Sequence, residues 1–235
     1  MKRFAVLIAA ALIALGGAAL GQSLDQLPFA KKLKLAKVGD EEAQIAVAMA
    51  YETGSDAPPD AAEAAKWYRQ AALQGNVEAQ FRLARIVSKG ARGLKQDYPT
   101  AIKLYEAAAA KGHAPAMNAL GLLYQNGEGM AADPARAAEW YRKAAEAKLA
   151  DAENNLGILY LNGKGVIRNL GEAFKLFERA ANQGDGWGLN NLGGMYEMGW
   201  GAPRNRDKAV ELYRQAAAKG IAAAQENLQR LAATP

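Results

Sequence analysis

Between Gly39 and Gly220 the apolar positions recur three and four residues apart in short runs, and glycine breaks the runs at regular intervals. That spacing puts the apolar side chains on one face of a helix, so the runs predict short amphipathic helices. The stretch Asp151 to Gly184, DAENNLGILYLNGKGVIRNLGEAFKLFERAANQG, shows the pattern in full as two helices joined by a glycine loop. Leu156 and Tyr160 share a face of the first helix, with matches at Leu120 and Tyr124 and at Leu192 and Tyr196. Gly157 between them, matched by Gly121 and Gly193, costs about 1 kcal/mol in a helix interior. It is tolerable where another helix must approach closely. The first helix is predicted to stop at Gly127-Glu128-Gly129, Gly163-Lys164-Gly165 or Gly199-Trp200-Gly201, because glycine supplies positive φ. The second opens on Asp60, Asp97, Asp133, Asn169 or Asn205, short polar residues that accept from free N–H groups. Asp133-Pro134 adds proline at the first helical position. Asp60 to Glu63 and Asn169 to Glu172 have capping-box spacing.

The pattern is periodic. Ala43, Ala79, Ala116, Ala152, Gly188 and Ala224 are separated by steps of 36 or 37 residues, and so are Tyr68, Tyr105, Tyr141, Phe177 and Tyr213. The units end at Gly75, Gly112, Lys148, Gly184 and Gly220, and the one extra residue falls between Val87 and Asp97. A helix pair this short cannot bury its apolar face alone, so the pairs must stack. The expected fold is all-α, a right-handed α-solenoid of about five helix-turn-helix repeats of 36 residues with capping helices at both ends. Its boundaries read as a leader over 1–21, an N-terminal capping helix over 22–38 and the solenoid over 39–231. The units are 39–75, 76–112, 113–148, 149–184 and 185–220, followed by a half unit over 221–231 and a tail over 232–235.

The order A-x-x-x-L-G-x-x-Y-x-x-G-x-G, then D/N-x-x-x-A-x-x-W/L-Y/F-x-x-A-A-x-x-G, resembles the Sel-one-like repeat (SLR) family, a relative of the tetratricopeptide repeats. The match is strongest in units three to five. Unit one lacks the second loop glycine after Gly54, and unit two has Ala84 and Val87 where others carry glycine and tyrosine. The resemblance implies an adaptor or regulatory role through the surface lined by the first helices, expected to be concave. Carried over from tetratricopeptide repeats, the ligand-facing row comprises Phe81, Arg85, Lys89, Asn118, Gln125, Asn126, Asn154, Asn162, Asn190, Glu197 and Glu226. Asn118, Asn154 and Asn190 hold the same unit position, and an asparagine amide can clamp an extended backbone. Asn155, Asn191 and Asn227 beside them are assigned to the fold. Arg85 and Lys89 would make one end of the row basic, and Glu197 and Glu226 the other acidic. Trp187 and Trp200 suit either an interface or packing under a loop.

The bulk numbers narrow the function. The formal charge is +5, of which Lys2 and Arg3 in the leader contribute two. So mild a bias does not point to nucleic acid. There is no cysteine, which removes disulfides and cysteine metal sites. Residues 1–21 read as a secretory signal peptide, with Lys2 and Arg3, the apolar run Phe4 to Leu15, and cleavage before Gln22. The alternative is a retained membrane anchor over Phe4 to Leu20.

His113, the sole histidine, follows Gly112 at a turn and has no nucleophile and acid arranged around it in sequence. The GxG loops follow helices and lack the context of a phosphate cradle. No metal or cofactor is expected. Some cysteine-rich SLR proteins are associated with β-lactams, but the cysteines and an S-x-x-K motif are missing here. The expected function is therefore a non-enzymatic scaffold or adaptor in the bacterial envelope, periplasmic or secreted. Its partner would be another protein or an extended peptide, in signalling or complex assembly. One alternative is a cell-wall-directed enzyme or β-lactam binder. The other is a peripheral membrane or cell-wall binder, using an uncleaved leader or the run Lys31, Lys32, Lys34 and Lys37.

Overall fold

The computed structural model describes residues 23–233, and the leader read over 1–21 lies outside them. The described residues form helices joined by short loops, with one isolated bridge between Ala91 and Leu94 and no strand. The chain divides into two compact bodies, Met1–Lys111 and Gly112–Pro235.

In the first body a 3-10 turn at Leu24–Gln26 precedes α1 (Phe29–Lys37), α2 (Glu41–Thr53), α3 (Ala61–Leu73), α4 (Val77–Lys89) and α5 (Tyr98–Ala109). The second body holds α6 (Ala114–Asn126), α7 (Pro134–Glu146), α8 (Ala150–Asn162), α9 (Leu170–Asn182), α10 (Gly186–Met198), α11 (Arg206–Ala218) and α12 (Ala222–Ala233). Within each body every helix packs on its neighbours in sequence. This is the all-α solenoid of helix-turn-helix repeats that the periodicity predicts. The second helices α3, α5, α7, α9 and α11 are capped as expected: Asp60, Asp97, Asp133, Asn169 and Asn205 each accept from a backbone N–H of the first turn. His113 has a defined duty as well. Its Nδ1 accepts from the Ala116 N–H at 3.2 Å and caps α6.

Each inner loop closes with the same main-chain bond. The N–H of the capping residue donates to the carbonyl of Tyr51, Val87, Tyr124, Tyr160 or Tyr196 at 2.7–2.9 Å. Because the bond uses backbone only, it survives Val87 replacing tyrosine. The extra residue of unit two is absorbed in a tight turn where Ala91 and Leu94 exchange backbone hydrogen bonds.

The core is alanine against aromatic ring. Ala43, Ala79, Ala116, Ala152 and Ala224 are fully buried, as are Tyr68, Tyr141, Phe177 and Tyr213. In the third, fourth and fifth repeats the aromatic of the second helix lies on the glycine of its first helix. A Cβ added to Gly121, Gly157 or Gly193 would stand 2.4 Å from the Tyr141 ring, 2.7 Å from Phe177 or 2.8 Å from Tyr213. Close helix approach is thus the reason for these glycines. At the unit ends a residue must adopt positive φ, and Lys148, at φ 62°, does so where the other units use glycine.

Candidate partner-binding face

The first helices present the row expected to bind, and the structure gives much of it internal duties. Asn155 Nδ2 donates to Asn118 Oδ1 at 3.0 Å, Asn191 to Asn154 at 2.7 Å and Asn227 to Asn190 at 3.1 Å. The asparagines form a ladder that ties α6 to α8, α8 to α10 and α10 to α12. Asn154 is buried within it. The acceptor oxygens of this recurrent position are therefore committed to the fold.

A second column joins the two helices of a pair. The hydroxyls of Tyr68, Tyr141 and Tyr213 donate to Glu52 at 2.6 Å, Gln125 at 3.1 Å and Glu197 at 2.9 Å. Phenylalanine at 177 has no hydroxyl, and the matching position is Leu161. In these units the phenol and its polar partner occur together, and at Phe177 and Leu161 both are lost. Glu52 also receives Arg82 and Arg85, and Glu197 receives both terminal nitrogens of Arg230. The bonds from Arg230 and Tyr213 hold the Glu197 carboxyl below its ordinary value. Burial alone would raise the Glu52 carboxyl, but its bonds from Tyr68, Arg85 and Arg82 outweigh that and lower it. Desolvation, reinforced by the neighbouring carboxylate, pushes the Tyr68 and Tyr213 phenols far up, so both stay protonated donors.

These pairs correct the expected charge gradient. Arg85 is neutralised by Glu52, and Glu197 by Arg230, so neither end takes its charge from them. The lysine run near the N-terminus is also interrupted: Lys32 is buried and pairs with Asp56 at 2.8 Å. Of the remaining row, Phe81 is half-buried with its ring 5.9 Å from that of Tyr105, and Lys89, Asn162 and Glu226 are exposed. Asn126 is exposed and donates to Glu128 at 2.9 Å. Trp187 is exposed, whereas Trp200 packs partly buried against the core of the last repeats.

Among the described residues no group of three or more His, Asp or Glu side chains is placed to hold a metal ion, and no helix is long and apolar enough to cross a membrane. The Glu52 and Glu197 carboxylates are held by arginine and phenol inside the repeat stack.

The Sel1 repeat profile matches five successive stretches, 41–76, 77–113, 114–149, 150–185 and 188–221. The chain belongs to the Sel1 repeat family. Among solved Sel1 repeat structures, a protective antigen of uropathogenic Escherichia coli with an SLR fold is 32% identical, with a TM-score of 0.77 over 84% of this chain. A Sel1 repeat protein from Oxalobacter formigenes is also 32% identical, with a TM-score of 0.77 over 86%. The matched region is only 42% and 59% of the length of those two chains. An immunity protein from Pseudomonas aeruginosa, 22% identical with a TM-score of 0.54 over 90% of this chain and 83% of its own, shares the fold. No protein with a curated description matches.

Set against the other Sel1 repeats of the chain, the last full one departs at a position on the first-helix face. The position two residues after the conserved leucine is Arg85, Leu122, Ile158 and Arg230 in other units, and Gly194 here. With Leu161, Met198 and Trp200 it lines a depression in the last full repeat. The signal was present as a column of large side chains broken by one glycine.

Proposed function

We propose that this Sel1 repeat protein is a non-enzymatic scaffold of the bacterial envelope, directed there by the leader at 1–21, that holds another protein through an extended segment laid along its first helices. Sel1 repeat proteins serve generally as protein-interaction scaffolds. The observation that carries the reading is the division of labour on that face. The ladder and the phenol–carboxylate column bind the repeats to one another. Meanwhile Leu122 and Met198, 39% and 55% exposed among the described residues, lie on the same first-helix face as the exposed amides of Asn126 and Asn162. Apolar anchors among adaptable polar groups suit protein recognition.

A photo-crosslinker at Asn162, irradiated in intact cells, should capture a discrete envelope protein, and one at the exposed Arg214 on the second-helix side should not. Capture that is the same from both positions overturns the reading. Turnover of a chromogenic β-lactam or of peptidoglycan by the purified chain would favour the enzyme alternative.

A further inference from the structure

Gly193 and Gly194 are neighbours in α10, yet only one is explained by packing. A Cβ on Gly193 would press into the Tyr213 ring, whereas one on Gly194 would find its nearest atom, the Tyr213 hydroxyl, at 3.5 Å, an ordinary contact. Gly194 has no positive φ. Alanine would fit there and would favour the helix. What the missing side chain leaves is a depression of about 150 Å³ whose apolar wall is Leu161, Met195, Met198 and Trp200, with the Asn190 and Asn227 amides at its edge. The volume and lining match one aliphatic side chain of leucine size, with amides beside it for the main chain that carries it.

The charges around the depression are unequal. Arg168 Nε donates to the carbonyl of Leu161, a wall residue, at 2.9 Å, and Arg204 Nε donates to that of Glu197 at 2.9 Å. Neither arginine has an ion-pair partner within 4 Å among the described residues. The buried carboxylate of Glu197 is committed to Arg230 and Tyr213, and Glu226 is the other acid of this part of the row. Arg204 also acts on the Glu197 carboxylate, and the guanidinium groups of Arg168, Arg204 and Arg230 still outnumber the carboxylates of Glu197 and Glu226.

We propose that the Gly194 depression is a specificity pocket for one leucine-sized aliphatic side chain of an extended protein segment, flanked in that segment by aspartate or glutamate that meets Arg168 and Arg204. This rests on the first-helix row being the binding face and names what that face selects.

The test uses the full chain and three capped tripeptides: acetyl-Asp-Leu-Asp-amide, acetyl-Asp-Ala-Asp-amide and acetyl-Asn-Leu-Asn-amide. The indole N–H resonance of Trp200, assigned through a Trp200→Phe spectrum, reports occupancy. The leucine peptide with aspartates should shift that resonance saturably. The alanine peptide should bind at least about ten-fold more weakly, from the lost apolar contact. The asparagine peptide should bind about two- to five-fold more weakly at low salt, as expected for exposed ion pairs. Gly194→Ile, which restores the residue found at 158, should fill the depression and abolish the shift. Gly194→Ala should weaken it in part, and Met198→Gln, at an exposed site, provides a variant that leaves the helix packing alone. Equal shifts from the leucine and alanine peptides, or a leucine shift surviving in folded Gly194→Ile and in Met198→Gln, overturn the pocket. If crosslinking at Asn162 captures the same protein in wild type and Gly194→Ile, the pocket falls while the scaffold reading stands. If no crosslink forms in wild type, the scaffold reading itself falls.

Discussion

The adjacent glycines of α10 allow the packing argument to be tested on stability alone. Gly193→Ala and Gly194→Ala make the same chemical change one residue apart in the same helix. Each gains about 1 kcal/mol of helix propensity. At 194 nothing opposes that gain, since the new Cβ meets only the Tyr213 hydroxyl at 3.5 Å. At 193 the new Cβ lies 2.8 Å from Tyr213 Cε1 and 2.9 Å from Cδ1. The ring cannot swing away cheaply, because it is fully buried and its hydroxyl is bonded to Glu197 at 2.9 Å. Overpacking of this kind costs about 1–3 kcal/mol. Gly194→Ala should therefore be stabilised by up to about 1 kcal/mol and Gly193→Ala destabilised by up to about 2 kcal/mol. Urea unfolding followed by circular dichroism would separate them, since 1 kcal/mol moves a midpoint by about 0.3–1 M. Amide exchange in α10 and α11 gives a local reading, suited to a repeat chain whose parts open separately. Equal shifts of the same sign would refute the claim that Gly193 exists to seat the ring. The analogous Gly121→Ala, with its Cβ 2.4 Å from the Tyr141 ring, should cost more than Gly193→Ala.

Lys148→Gly should stabilise the second body by about 0.5–1 kcal/mol, because lysine there holds a left-handed φ of 62°; a lowered thermal midpoint would contradict this. Phe177→Tyr alone should cost about 1–3 kcal/mol, by burying a hydroxyl opposite Leu161, and Leu161→Gln added to it should recover about 1 kcal/mol; a double-mutant cycle with no coupling would argue against the paired column. Glu52 and Glu197 have carboxyls lowered in the folded state. Their stabilisation is therefore complete above the ordinary carboxylate value of 4.5 and lost as pH falls through the lower folded values. Glu197→Gln should flatten that acid limb and cost about 1–2 kcal/mol at neutral pH, visible as a shallower fall in melting temperature with acid. Asn191→Ala should cost about 1 kcal/mol by removing a donor to buried Asn154, and it should raise exchange in α10 before α6.

The fold was legible because its signals are local and repeated. The capping residues, the loop glycines and the alanine–aromatic spacing each sit at a fixed place in the unit, so five copies reinforce one another. The face was legible only in outline. Periodicity places Asn118, Asn154 and Asn190 on a shared row but cannot show that Asn155, Asn191 and Asn227 reach across to them. Charge signs at Arg85 and Glu197 are visible in sequence, while the pairs that cancel them join residues 33 positions apart. Lys32 looked like part of a solvated run, yet its ion pair with Asp56 depends on α1 folding back over the first repeat. Gly194 was hidden beside Gly193, since both read simply as glycine until the space around each was known.

The ladder of asparagines has a direction. The nitrogen always comes from the later repeat and the oxygen from the earlier one, at the same offset each time. A whole 36-residue unit copied in frame would arrive with its own donor and acceptor already matched to both neighbours, whereas an insertion of any other length would face amide against nothing. The same geometry that fastens the stack thus works as a reading frame for its growth, permitting lengthening by duplication and penalising every other step.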